Sequence, residues 1–218
     1  MSRNRKKRVY KALAILSVLF VCLYFLQHIW AHRCGLPGNA ECTQLFWWIT
    51  MEDRIPKEDA IPPRNLQPGD ILVTLSTHSL GWRHGHVGLV LDETSVLECV
   101  TLGEKSRIVK AKHWGTYSNY AVLRVQGAPE ELQQEVANYA KEHLCGVPYH
   151  LSAGLLGKKV QDIDAEHFGM QCAYLAWYAW NHFGYDLDSD GGRLVTARDL
   201  LQSDMVEVVE SFGMDFLQ

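Results

Sequence analysis

The spacing of apolar and polar positions predicts a series of strands, then helices. Ile71-Leu-Val-Thr-Leu-Ser76 is a β-rich run entered through the turn Leu66-Gln-Pro-Gly-Asp70, and it predicts a first strand. His86-Val-Gly-Leu-Val-Leu-Asp92, Ser95–Thr101, Arg107–Trp114 and Tyr120–Gln126 predict four more. Their links are short, which implies an antiparallel meander. A polar, glycine-containing loop, Thr77–Gly85, precedes the second strand. Pro129-Glu-Glu-Leu132 opens a helix with proline and acids in its first turn. Leu132, Val136, Tyr139, Ala140, His143 and Leu144 keep helical spacing, and Gly146 and Pro148 end it. Residues 147–168 read as a mixed loop. Thr196 caps a short helix, Ala197–Gln202, with Asp199 as its capping-box partner. Met205–Val209 closes as a strand.

One stretch departs from ordinary amphipathic patterning. Gly169–Phe183 is apolar or aromatic on every helical face, with Cys172 at its start. It is too short to span a bilayer, which needs about 20 residues. It therefore predicts a helix buried inside a domain. Cys172 sits where the first unpaired N–H groups of that helix point, a position that favours a thiolate.

A second apolar stretch, Ala12–Trp30, carries no Asp, Glu, Lys or Arg and is long enough to cross a membrane. Charge sharpens that reading. The net charge is −4, yet residues 1–30 hold six of the 21 Lys and Arg and none of the 25 Asp and Glu. Basic residues before an apolar span predict a cytoplasmic N-terminus and an exported body. The expected organisation is a basic tip (1–11), a transmembrane signal anchor (12–30), a juxtamembrane linker (31–65) and a compact domain (66–218). That domain would lie outside the cytoplasm, at the cell surface or in the periplasm. An acidic body argues against a nucleic-acid partner. Cys34 and Cys42 flank a turn-rich loop and are spaced to close a small disulfide in an oxidising exterior, with connectivity left open. The other cysteines lack the paired spacing of a structural zinc site. The acidic turn Asp186–Gly192 lacks a closing Glu and reads as a solvated loop.

A nucleophilic cysteine needs a base and a group that orients the base. His86 opens a strand directly after a flexible loop. Glu98 lies in the middle of the next strand, between Leu97 and Cys99, where a carboxylate needs a partner. A tight turn between the strands can set them side by side, and the two side chains share a face if the register permits. A weaker alternative groups His84, His86, Glu98 and Cys99 as metal ligands.

The order of these segments carries a resemblance. Leu66-Gln-Pro-Gly-Asp-Ile-Leu-Val73, Gly85-His-Val-Gly-Leu-Val-Leu-Asp92, Val96-Leu-Glu98, Cys145-Gly-Val-Pro-Tyr149, Gln171-Cys-Ala-Tyr-Leu-Ala-Trp177 and Thr196–Ser203 follow one another. Residues 66–210 thereby resemble the NlpC-type papain-like cysteine peptidase and amidase superfamily, in its circularly permuted YiiX/YebB-like branch. The resemblance implies an α+β fold, an antiparallel sheet packed against a central helix. It implies Cys172 as nucleophile, His86 as base and Glu98 as orienting residue. Tyr149, Gln171 and His84 would line the site or hold the oxyanion. Ala173 departs from the Ser or Thr that often follows the family's cysteine. No cofactor is expected. The implied activity is hydrolysis of amide bonds, with cell-wall peptide as substrate. The permuted relatives include lecithin:retinol acyltransferase-like enzymes, which makes a lipid acyl substrate the alternative. A catalytically silent wall- or lipid-binding module is the third reading.

Overall fold

A computed structural model describes residues 10–11, 13–22, 51–78, 83–101, 103–150, 153, 159–165 and 168–214. The chain forms two compact units, Met1–Ile49 and Thr50–Gln218. In the first, residues 10–11 and 13–22 are helical (α1), and apolar side chains such as Leu16, Leu19 and Phe20 are exposed. Among the described residues, no helix is long and apolar enough to cross a membrane. The expected span lies partly, and the Cys34–Cys42 loop wholly, outside the described residues.

The second unit is a mixed α+β body. Its main sheet is built from β2 (Ile71–Thr74), β4 (His86–Asp92), β5 (Ser95–Glu98), β6 (Arg107–Lys110), β7 (Tyr120–Val125) and β8 (Val206–Phe212). The spatial order is β6-β5-β4-β2-β7-β8, with every pair antiparallel. The expected four-strand meander is present as β2-β4-β5-β6. The chain then crosses back, so that β7 pairs with the other side of β2.

β2 is buried at every position because both faces of the sheet are covered. One face carries Ile71, Val73, Val87, Leu89, Leu97 and Leu123 against the helices. The other carries Leu72, Val90, Val96 and Val122 against Trp114, Tyr117 and Leu66. Successive residues of a strand point to opposite faces, so this alternation serves two cores.

The helices are α2 (Glu130–His143), α3 (Cys172–His182) and α4 (Ala197–Gln202). α2 turns Gln133, Val136, Ala137 and Ala140 inward, and both α2 and α3 pack on β4. α3 buries every residue from Ala173 to Trp180. Its aromatic polar atoms all find partners. Tyr174 Oη donates to Lys159 O at 2.6 Å, Tyr178 Oη to Gln161 O at 2.9 Å, Trp177 Nε1 to Asp186 Oδ1 at 2.7 Å and Trp180 Nε1 to Gly69 O at 3.0 Å. Each large side chain so buried contributes about 1.5–3 kcal/mol. The helix is pinned on all sides, which fixes its N-terminus. Gly69 adopts φ +82°, and a Cβ there would lie 2.9 Å from the Trp180 ring.

Two expectations change. The fourth strand stops at Lys110. Ala111–Thr116 forms a 3₁₀ turn that folds the buried Trp114 over the sheet. Residues 50–65, expected as linker, belong to the compact unit. β1 (Met51–Glu52) pairs with β3 (Thr77–His78). Asp53 N donates to Ser76 O at 2.9 Å, Ile55 N to Thr116 O at 2.8 Å and Ile61 N to Gly115 O at 3.1 Å. A backbone that pairs in this way leaves no mark in the periodicity of side chains.

Candidate active site

β4 and β5 bring His86 and Glu98 together as expected. Glu98 lies directly opposite Gly88, two residues along from His86 on the same face. Gly85, at φ +75°, delivers the chain into β4; a Cβ there would meet Thr74 O at 2.7 Å and Ala197 Cβ at 2.9 Å. His86 Nε2 then lies 3.2 Å from Glu98 Oε2, and both side chains are buried. Cys172, half-buried at the first position of α3, acts on the same imidazole and helps to raise its pKa.

Electrostatics follows from this geometry. Burial alone would lower the pKa of His86. Hydrogen bonds to Cys172 and Glu98, with their charges, outweigh it and push it up to about 10. Burial likewise opposes ionisation of Glu98. The hydrogen bond and charge of His86, together with Arg107, hold its carboxyl below the usual range. Arg107 approaches Glu98 Oε1 with Nε and Nη2, each at 3.4 Å. The two oxygens of Glu98 are thus divided between the histidine and the arginine.

Gln171 is the N-cap of α3. Its Oε1 accepts from Ala173 N at 2.8 Å and from the Cys172 thiol at 3.6 Å. Its Nε2 donates to Val195 O. What Gln171 presents to the sulfur is an acceptor oxygen. The N–H of Cys172 has no intrahelical acceptor at its position and is available to a ligand. Tyr149 is half-buried and bridges Met170, two residues before Cys172. His84 is half-buried, with Nδ1 2.9 Å from Gly85 O. Burial is the main cause that lowers its pKa.

Several residues of the site went unread in the sequence. Trp114 stacks on His86 at 5.2 Å and 13°, and Tyr117 packs on both. Gly88 makes this possible, because a Cβ there would lie 2.7 Å from the Trp114 ring. A glycine inside an apolar strand is the signal that could have found the close approach. Arg107 carried no such signal.

The metal alternative finds no support in this geometry. Cys99 turns to the opposite face, where its thiol donates to Met170 O at 3.4 Å. Among the described residues, the grouping of three ligand atoms is Asp188, Asp190 and Asp199, at another place. Those carboxylates pair with Lys159, Gly192 N and the cap of α4, respectively.

The fold and site define an α+β protein whose antiparallel sheet packs against helices and carries a buried His86–Glu98 pair beside the half-buried Cys172. No protein-family profile matches the chain, and no curated protein matches it. Among solved structures, the chain is similar to the crystal structure of metalloprotein yiiX from Escherichia coli O157:H7. The identity is 18% and the TM-score 0.47, with 66% of this chain and 96% of that chain covered.

Proposed function

We propose that the protein is a cysteine hydrolase of permuted papain-like, NlpC-type fold that cleaves amide bonds in cell-wall peptides. The observation that carries this reading is the buried His86–Glu98 pair, with the half-buried Cys172 at a helix N-terminus acting on the same imidazole. The motif order of residues 66–210 supports it. His86 takes the proton of Cys172, and Glu98 stabilises the imidazolium that results. The thiolate attacks the carbonyl carbon. The N–H of Cys172 donates to the oxyanion, with Tyr149 as the second candidate donor; losing one such donor costs roughly 10²–10³ in rate. His86 protonates the leaving amine, and water releases the acyl group as acid. Residues 12–30 anchor the chain, with the hydrolase domain outside the cytoplasm.

The exposed apolar side chains of α1 favour a second reading, a lipid acyl substrate presented at the same membrane. One experiment separates the two. Full-length protein in detergent is incubated with purified peptidoglycan and, separately, with phospholipid vesicles, and the products are weighed by mass spectrometry. Peptide fragments from the wall, absent with Cys172→Ala, are expected. Products from lipid alone would move the substrate to the second reading. Identical products from Cys172→Ala would remove Cys172 as nucleophile.

A further inference from the structure

The strap formed by residues 51–55 reaches the site from two directions. On one side, Asp53 holds the segment that leads into His86. Its carboxylate lies 3.2 Å from His78 Nε2 and 2.7 Å from Arg83 Nη1, and Arg83 also donates to Leu75 O at 3.1 Å. On the other side, Arg54 forms an isolated bridge with Tyr117 and lays its guanidinium over the Tyr117 ring at 3.5 Å. Arg54 Nη1 donates to Thr116 Oγ1 at 2.6 Å. Tyr117 is buried between Arg54, Trp114 and His86. Gly115 has no room for a side chain; a Cβ would lie 2.6–2.7 Å from the backbone of Ile61 and Pro62. The turn that carries Trp114 and Tyr117 is therefore pressed against the sheet by the segment N-terminal to it.

We propose that Arg54 is a positioning residue for the Cys172–His86 pair, acting through Tyr117 and Trp114; this rests on the hydrolase reading above. Arg54 touches neither reacting atom. It closes the outer side of an aromatic wall whose inner side is the His86 ring. A closed wall keeps water from the imidazolium, so that the hydrogen bonds to Glu98 and Cys172 act at low dielectric. An arginine over an aromatic face is held most firmly where water is excluded. The groups that act on His86 from the surrounding elements are Glu98 on β5, Cys172 on α3, Tyr117 after the turn and His84 before β4. Arg107 on β6 stands behind Glu98.

The test reads the thiol directly and needs no substrate. Full-length protein in detergent is alkylated with iodoacetamide across a pH series, and the rate at Cys172 is followed by mass spectrometry. Glutathione serves as the reference thiol. Wild type is expected to outpace glutathione at about pH 6. Arg54→Ala is expected to lose roughly tenfold of that rate, with Arg54→Lys recovering most of it. Glu52→Gln removes the ion pair beside Arg54 but leaves the ring contact, and it should keep the wild-type profile. A purely structural role would lower the melting temperature of Arg54→Ala and leave the profile of its folded fraction unmoved. An Arg54→Ala profile equal to wild type overturns the proposal while the hydrolase reading stands. A wild type no faster than glutathione removes the hydrolase reading, and the role of Arg54 with it. If Arg54→Ala does not fold, Arg54→Gln gives the same comparison with the polar contact to Thr116 retained.

Discussion

Replacing Gly88 by alanine adds one carbon at the point where β4, Trp114 and Glu98 meet. The new Cβ would lie 2.5 Å from Val96 Cγ1 and 2.7 Å from Trp114 Cζ2. Carbon atoms rest at about 3.5–4.0 Å, so each contact is short by about 1 Å. Neither neighbour can yield freely. Val96 is fully buried on the adjacent strand, and Trp114 is wedged between His86 and Tyr117. Forcing a methyl into such a site costs about 1–3 kcal/mol. For a domain of this size each kcal/mol lowers Tm by about 2–4 °C, so the variant should melt roughly 2–12 °C below wild type. The indole is the more mobile of the two neighbours, being carried on a 3₁₀ turn. Its displacement should lift it off the imidazole and slow iodoacetamide alkylation of Cys172 near neutral pH. Differential scanning calorimetry gives the first quantity, and tryptophan fluorescence with alkylation kinetics gives the second. A Gly88→Ala protein that melts within about 1 °C of wild type, with unchanged fluorescence, would refute the packing argument. One that melts lower yet alkylates at the wild-type rate would detach Trp114 from the chemistry.

Other expectations follow from the same geometry. Asp70 is buried and receives Arg124 Nε and Nη2 at 2.8 and 2.7 Å and Gln67 N at 2.8 Å; Asp70→Ala should cost about 1–3 kcal/mol in urea unfolding. Thr196→Ala breaks the capping box of α4 and should cost about 1 kcal/mol by the same measurement. The His86–Glu98 pair predicts a stability window. His86, raised from 6.5 to about 10, contributes fully below pH 6.5 and loses its contribution as pH rises through about 10. Glu98, held below 4.5, contributes above that value and loses its contribution in acid. The Tm difference between wild type and Glu98→Gln should therefore be largest near neutral pH and shrink towards both extremes. A difference that grows steadily into alkali would contradict the pairing.

The elements whose pattern is written in side chains were legible. β2, β4, β7, α2 and α4 fall within a few residues of where alternation, helical spacing and caps put them. The Cys172 helix is buried on all sides because its residues are apolar on all sides. His86 and Glu98 were placed on neighbouring strands in advance, but it is a register shift between Val90 and Asp92, not the tight turn, that sets Glu98 opposite Gly88 on the face of His86. Two kinds of feature escaped. Pairing between distant strands, such as β2 with β7, depends on the path of the chain across the sheet. The docking of residues 51–55 depends on backbone hydrogen bonds, which any residue other than proline can make. Trp114 was read as a strand residue because Arg107–Trp114 alternates. It left the strand because its indole fills the space above Gly88, a demand set by the opposite strand. Gln171 was expected to face substrate. Its Oε1 meets the Cys172 thiol, while its Nε2 donates to Val195 O, a partner 24 residues away that local patterning cannot reveal.

The order of the parts along the chain has a consequence for how the protein is made. His86 and Glu98 lie on neighbouring strands, separated by 12 residues, and can meet as soon as that hairpin forms. Cys172 is synthesised long afterwards, and β8, which closes the sheet beside β7, comes last of all. Chains that emerge from the ribosome fold from their N-terminus onward. A truncated or half-finished chain therefore holds an imidazole and a carboxylate with no sulfur to act on. The thiol, when it does arrive, meets a partner already in place. On the hydrolase reading, the nucleophile is the last of the three residues to be made.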